Sequence, residues 1–598
     1  MSLLRSPDAS AARPHTAPSA PSLGPGGIAT GAIGAGRMVP AGARLGPPLW
    51  RRLSPWDVAF WLVMAVAVAA VSCTFPDFGI TFDEPLHVEY GQRALEWYAS
   101  LGKDRAVLEF QNLYLYGALF DTVEALFENL LPLDVYATRR LIGGLTGLLG
   151  VLAVRRIAKD MAESPETGQG TARGTGARAG LIAGLCLLLI PDWWGHSFAN
   201  PKDVPFAVAA AWTLSWLVRV GRSLDTDAKG PSLGSVAMLG LCFGMALGIR
   251  VGGVLLAGPI MLTLLAHLAK RVLAGDGARQ TGAEAWRLVR RLWIAVPIAY
   301  AVMIAAWPWA QVNPLRHPME ALAEFSKFPM DFTFTFAGAQ VRTTNLPWWY
   351  LPVGFGVKLP EVELLGLAAI AAFGARATLR RPFPAGVRLD GVALTTAVLL
   401  PPAAVVATDA VLYDGIRHML FLMPPLATAA GLGLNGLVTR LPLRWPRNFW
   451  LNPFMAALLV ACAAVQVGFM AHLHPYETIW FNRFVGGVRG AGPKFELDYW
   501  GSSLSEAAKR LTDTMVKLEG PQALTQPYRI RVCGPPTSVF HYLPPAWKPT
   551  RRNTGPVDFY LAFTRWACKE IPAGQDIVRI ERDGEVLAYV RDLREPPQ

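Results

Sequence analysis

SPWDVAFWLVMAVAVAAVSCTFPDFGITFDEP, residues 54–85, decides how this chain is read. A basic pair, Arg51-Arg52, stands just ahead of it, a long apolar run follows, and the run gives way to the acidic pair Asp83-Glu84 before Pro85. An apolar run of roughly 20 residues crosses a bilayer as a helix, because a helix pairs its own backbone N–H and C=O groups. Carboxylates at the lip of such a helix are costly to desolvate and mark a place with work to do.

The pattern recurs. Apolar runs lie near 54–74, 136–154, 177–197, 203–219, 234–249, 251–269, 292–310, 350–374, 389–408, 416–436 and 450–471, about eleven in all. Two are weak as spans: 177–197 contains Pro191 and Asp192, and 350–374 contains Lys358, Glu361 and Glu363. Apolar residues form 52% of the chain and charged residues 17%, which argues against a soluble enzyme. The expected fold class is a polytopic α-helical membrane protein of about eleven transmembrane helices with a small C-terminal α/β soluble domain. The expected division is a disordered cytoplasmic tail at 1–50, a transmembrane domain at 51–472 and an extracytoplasmic α/β domain at 473–598. The tail is rich in Gly, Pro, Ala and Ser without an apolar period. No cleavable signal is evident, so the first helix is expected to direct insertion.

The net charge of +12 suggests nucleic acid until its distribution is examined. Basic residues gather at alternate exits: Arg51-Arg52, Arg155-Arg156 with Lys159, Arg219 and Arg222, Lys270-Arg271 with Arg287 to Arg291, Arg376 to Arg388, and Arg440 to Arg447. That is the positive-inside pattern of cytoplasmic loops, and nucleic acid is not the expected partner. Arg139-Arg140 falls on the outer side and breaks the rule. Either it touches lipid or a substrate phosphate, or the apolar piece 113–131 also crosses.

That piece carries Asp121, Glu124 and Glu128 at near-helical spacing, so a helix lying on the membrane is favoured over a crossing. Residues 311–349 form a second long outer loop, closed by Trp348-Trp349-Tyr350, and Trp193-Trp194 is read as an interfacial anchor. In the C-terminal segment a helix is expected over Ser502 to Leu518. Strands are expected at Arg529 to Val532 and Asp558 to Phe563, and a hairpin over Ile577 to Val590 turning at Asp583-Gly584. Cys73, Cys186, Cys242 and Cys462 read as packing residues. Cys533 and Cys568 lie outside, where a disulfide and two free thiols are both open. No Cys/His spacing resembles a zinc site.

By helix parity several polar clusters share the outer side. They are Asp83 and Glu84, the group Asn200-Pro201-Lys202-Asp203, Arg250, the stretch Arg342 to Asn345, and Tyr413-Asp414-Gly415-Ile416-Arg417-His418. Carboxylates and cations around one cavity suit transfer of a group from a phosphate-linked lipid: a carboxylate takes a proton from an acceptor hydroxyl, and cations neutralise the phosphate left behind. Plainer readings exist. Asp83 and Glu84 suit a helix cap, Lys202 and Asp203 a local ion pair, and Arg250 a snorkelling cation. His418 suits a structural hydrogen-bonder. Glu361 and Glu363 are left unassigned between cavity and bundle interior.

The acidic pair after the first helix, the long first loop with surface-lying helices and the acidic group after the third helix resemble the GT-C superfamily of membrane glycosyltransferases. The likeness is strongest to the branch containing protein O-mannosyltransferases and the aminoarabinose transferase of lipid A. It covers roughly residues 54–472. The stretches 198–205, 414–418 and 495–501 (FELDYWG) look like an uncharacterised bacterial subgroup. The resemblance implies a polyprenyl-phosphate-sugar donor, a protein, lipid or glycan acceptor, and a site on the outer face of the bacterial cytoplasmic membrane. It matches Asp83 to the first-loop catalytic base, Glu84 to its neighbour, and Asp203 to a second acid that positions the acceptor or a metal. Lys202, Arg250, Arg417 and His418 are the candidates for donor phosphate. The resemblance fixes no cofactor; a divalent cation is admissible, with Asp83 and Asp203 its ligands. The rival classes are a secondary transporter, whose ionisable residues would line a path to both sides, and a non-catalytic membrane scaffold.

Overall fold

A computed structural model describes residues 54–163, 174–226, 230–325, 330–380, 387–440, 451–550, 556–565, 568 and 572–594. The expected tail at 1–50 lies outside these residues. The first seven helices are α1 (Pro55–Thr74), α2 (Glu84–Ala99), α3 (Leu119–Leu130), α4 (Val135–Ala162), α5 (Thr175–Leu188), α6 (Pro191–Ala199) and α7 (Asp203–Thr226). Among the described residues eight helices are long and apolar enough to cross a membrane, or nine if the bent pair α5 and α6 is one span. Two shorter apolar helices, Leu233–Leu247 and Ala457–Leu473, fall on two further expected runs. The protein is a polytopic helical membrane protein with a C-terminal mixed sheet.

Local sequence explains how these helices begin and bend. At the start of α1, Ser54 accepts from Asp57 N at 3.2 Å while Asp57 accepts from Ser54 N at 3.2 Å, a reciprocal cap ahead of Pro55. Asp57 also pairs with Arg155 and with Lys159, the latter at 3.4 Å, pinning α1 to α4. The 177–197 run is not straight: it bends by 63° between Leu188 and Pro191, where proline breaks the helical ladder. The 350–374 run is likewise two helices, Tyr350–Lys358 and Glu361–Arg380, parted at Pro360. Lys358 is buried there and donates to Asp192 at 2.9 Å and to the Thr478 carbonyl at 2.6 Å.

Close packing of α4 on α6 rests on small residues. Gly143, Gly144, Gly147 and Gly150 form a stripe, and a Cβ on them would collide with Ser197, Phe198 or Trp193. Trp193 fills that groove and is 1% exposed. The anchoring role read for Trp193-Trp194 is therefore wrong for Trp193: the bend at Pro191 turns it into the bundle.

The segment carrying Asp121, Glu124 and Glu128 forms α3, whose 12 residues are too short to cross. Its three acids turn inward onto Arg139, while Val123, Leu126 and Leu130 are exposed. Arg139 faces Asp121 at 3.6 Å, donates to Glu124 at 2.9 Å and also holds Glu128. Asp121 is shared with His87 at 2.8 Å, and Arg140 faces Glu84 at 3.5 Å. The arginine pair that broke the positive-inside pattern thus answers buried acids of its own chain. Burial, aided by Asp121 and Glu128, pushes the Glu124 carboxyl well above the ordinary range even beside Arg139.

The second long loop holds a hairpin that sequence reading missed, β1 (Thr333–Phe336) with β2 (Ala339–Arg342). The C-terminal segment carries the helix Ser503–Glu519 and a sheet of β3 (Arg529–Cys533), β4 (Lys548–Pro549), β5 (Phe559–Phe563), β6 (Gln575–Arg582) and β7 (Glu585–Asp592). The strand order is β4-β3-β5-β7-β6, with β3 parallel to β4 and β5 and the remaining pairs antiparallel. All five residues of β5 are buried, as a central strand requires. Cys533 and Cys568 are bonded, tying the end of β3 to the segment after β5.

Removing the shared counter-ion of α3 should be costly. Arg139→Met is expected to destabilise the protein by about 3–5 kcal/mol at neutral pH, since it strands three buried acids. Glu124, raised by burial and lowered by Arg139, then titrates further above its unfolded value, so the folded form binds more protons and stability rises as pH falls. The check is the thermal unfolding midpoint in detergent: the deficit of Arg139→Met should shrink from about pH 7.5 to about pH 5.

Candidate active site

After α1 the chain turns back over the end of the bundle. Phe78 stacks on Phe198 with centroids 4.1 Å apart, and Phe82 N donates to the Trp500 carbonyl at 3.1 Å. This delivers Asp83 to the start of α2. Its side chain makes no capping hydrogen bond there, which removes the plain capping reading. Instead its Oδ2 accepts from Lys202 Nζ at 2.9 Å and from Arg417 Nη1 at 3.1 Å.

The group at 200–203 is folded by its asparagine. Asn200 Oδ1 accepts from Asp203 N at 2.9 Å, and Asn200 Nδ2 donates to Asp203 Oδ2 at 2.8 Å. That turn starts α7 and aims Lys202 and Asp203 at different partners. Lys202 reaches Asp83 rather than its neighbour, and Asp203 pairs with Arg250 through its other oxygen. Arg250 stands in extended backbone between two helices, at φ −140° and ψ 125°. Lys202 and Arg250 both lie near one ring, Tyr116, at 5.6 and 5.8 Å from its centroid.

Arg417 contacts two aromatic rings, Tyr413 at 5.0 Å and Trp500 at 4.8 Å, and donates its second nitrogen toward Asp414 at 3.0 Å. His418 packs edge-on against Tyr413 at 4.6 Å, and its buried Nδ1 has no hydrogen-bond partner among the described residues. Asp414 also pairs with Arg565 of the C-terminal segment. Nearby, Tyr499 and His196 share a hydrogen bond of 2.9 Å.

The structure thus brings Asp83, Lys202, Asp203, Arg250, Arg417 and His418 together at one end of the bundle. Glu84 is turned away: it accepts from Thr81 Oγ1 at 2.9 Å, faces Arg140, and fixes the turn that presents Asp83. Arg342 is also elsewhere, in an exposed pair with Asp331. Glu361 accepts from Arg483 N at 2.7 Å, and Glu363 is buried among helices. Sequence reading missed Tyr116 and Arg565. Nothing in their local sequence marks them, because their partners lie far along the chain.

Burial works to raise the Asp83 pKa, but the Lys202 ammonium and Arg417 guanidinium reverse it, leaving the carboxyl far below the ordinary range. Burial opposes the charge on Lys202, and Asp83 restores it, so its pKa lies above that of an ordinary lysine. Asp83, Lys202 and Arg250 are the more open members, at 18%, 12% and 15% side-chain exposure, whereas Asp203 and Arg417 are at 2% and 5%. The more open members are thus two cations against one carboxylate. An anion reaching them would meet two donors beside one aromatic ring and compete with Asp83 for Lys202.

The two carboxylates named for a divalent cation are engaged with cations of the chain. Among the described residues no group of three or more His, Cys, Asp or Glu side chains could hold an ion.

No protein-family model matches the chain, and no curated protein matches it. Among solved structures it is similar to the crystal structure of ArnT from Cupriavidus metallidurans bound to undecaprenyl phosphate. The alignment has 16% identity and a TM-score of 0.44, covering 91% of this chain and 99% of that one. The apo form of the same protein aligns with 16% identity and a TM-score of 0.44, covering 90% of this chain and 97% of that one. A likeness of that degree carries no weight for chemistry, which rests on the side chains themselves.

Asp83→Asn should lower the thermal unfolding midpoint by leaving Lys202 and Arg417 short of charge. The wild-type carboxyl has a depressed folded pKa, so its contribution is present above the unfolded value near about 3.9 and is lost only as pH falls below it. The midpoint difference between wild type and Asp83→Asn is therefore expected to stay constant from about pH 5 to about pH 8. A difference that collapses within that window would contradict the ion-paired assignment.

Proposed function

We propose that the protein is a membrane glycosyltransferase. It moves a hexosyl or pentosyl group from a polyprenyl-phosphate donor to a hydroxyl of a protein, lipid or envelope glycan, on the outer face of the cytoplasmic membrane and with inversion. One observation carries this reading: at the end of a helical bundle, a single carboxylate with no capping bond is gripped by cations that also suit a phosphate.

In the proposed reaction the donor phosphate settles across Lys202, Arg250 and Arg417, with Asp203 and Asn200 holding Arg250 in place. The phosphate takes over part of the positive charge that had depressed Asp83. The Asp83 pKa then rises toward the ordinary carboxylate range, and the carboxylate becomes a better proton acceptor once substrate is present. Asp83 takes the proton of the acceptor hydroxyl. The hydroxyl oxygen forms a bond to the anomeric carbon from the face opposite the phosphate. The bond between that carbon and the phosphate oxygen breaks, and its electron pair leaves with polyprenyl phosphate, which the three cations stabilise. His418 offers a further polar nitrogen to the phosphate. Glu84 serves by holding the turn and takes no part in proton transfer.

The experiment is turnover of polyprenyl-phosphate sugars by the purified protein in lipid nanodiscs, followed by mass spectrometry of the released polyprenyl phosphate. Asp83→Asn is expected to lower the rate by about 10²–10⁴ while the donor still binds. Lys202→Met and Arg250→Met are expected to raise the donor KM. Absence of release from every hexosyl and pentosyl donor, with acceptor-containing membranes supplied, would rule the activity out.

A further inference from the structure

The cluster is backed by a residue from the C-terminal segment, just past the central strand of its sheet. Arg565 lies two positions after β5 and is 5% exposed. Its guanidinium pairs with Asp414, donates to the Tyr499 carbonyl at 2.8 Å and faces Glu496 at 3.2 Å. The other oxygen of Asp414 faces Arg417 Nη2 at 3.0 Å, and Arg417 Nη1 donates to Asp83 at 3.1 Å. Four charges of alternating sign thus run from the sheet into the cluster: Arg565, Asp414, Arg417 and Asp83.

Two further observations show that this chain is built in. Asp414 and Gly415 both have left-handed backbone, at φ +57° and +63°. For a non-glycine residue that conformation is disfavoured and persists where surrounding contacts enforce it. One such contact is Tyr350, whose hydroxyl donates to the Gly415 carbonyl at 2.6 Å. On the other side, Cys568 N donates to the Arg565 carbonyl at 3.1 Å, and Cys568 is bonded to Cys533 at the end of β3. The backbone of Arg565 is therefore held between β5 and a covalent tie.

We propose that Arg565 is a positioning residue for recognition of the lipid phosphate. It engages Asp414 so that this carboxylate steers Arg417 without neutralising it, leaving the guanidinium able to exchange Asp83 for an anion. Without Arg565, the remaining ion-pair partner of Asp414 among the described residues is Arg417; Asp414 closes on it, and the anion loses a donor. The inference rests on the glycosyltransferase reading for the identity of the anion. It implies that the C-terminal sheet is a component of the site.

The test is binding of undecaprenyl phosphate to the full-length protein in detergent, read as the lipid concentration dependence of the thermal unfolding midpoint. The set is wild type, Arg565→Met, Arg565→Lys, Asp414→Asn and the Arg565→Met/Asp414→Asn pair. Arg565→Met is expected to weaken binding about tenfold, a coupling of about 1.4 kcal/mol. Arg565→Lys should recover part of the loss. On the Asp414→Asn background, changing Arg565 should make no further difference, an outcome that a general loss of structure does not give. If Arg565→Met does not survive purification, Arg565→Lys against wild type, on both backgrounds, makes the same comparison. Equal losses on the two backgrounds, or wild-type affinity in Arg565→Met, would overturn the proposal. A wild type that binds the lipid phosphate but transfers no sugar would remove the proposed activity and leave the positioning role standing. A wild type that does not bind it would remove both.

Discussion

The grip of Lys202 and Arg417 on Asp83 is the constraint around which the rest is arranged. A carboxylate at the end of a bundle, partly removed from water, is stable only if its charge is answered. Here the answer comes from residues more than a hundred positions away, so the spans that carry them must end at the same depth. The same cations satisfy the carboxylate in the resting protein and, in the proposed reaction, hold the donor phosphate. On that proposal, resting stability and donor binding draw on one set of charges.

Bringing those ends together demands close helix packing, and small residues supply it. The glycine stripe of α4 admits α6, whose Trp193 fills the groove. The bend at Pro191 then tips the end of α6 across the bundle, so that Asn200 can shape the start of α7. A straight helix through this run would carry Lys202 and Asp203 away from Asp83.

Much of this was legible in the sequence. Apolar runs placed the helices, because hydrocarbon thickness fixes how many residues a span needs. Parity of those runs put Asp83, Asp203, Arg250 and Arg417 at one end, and the C-terminal hairpin followed from Asp583-Gly584. Other features were hidden for physical reasons. Glu84 is adjacent to Asp83, but successive residues at a helix start point in different directions, and only Thr81 and Arg140 show which way Glu84 turns. Trp193-Trp194 has the composition of an anchor; its burial depends on the bend and on glycines some 45 positions earlier. Arg565 is one of many arginines in the C-terminal segment, and its pairing with Asp414 is a tertiary fact with no local signature.

The short helix α3 is inside out by the standards of a water-soluble protein. Its acids point inward to Arg139 and its valine and leucines point outward. The oily side of that helix needs a non-aqueous neighbour, which makes the surrounding acyl chains a structural component of the first loop. Harsh delipidation would strip away that neighbour while the inward charges remained paired. Loss of structure during extraction should then begin at this loop and spread to α2, which follows Asp83, so the lipid content of a preparation governs how much of the proposed site stays folded.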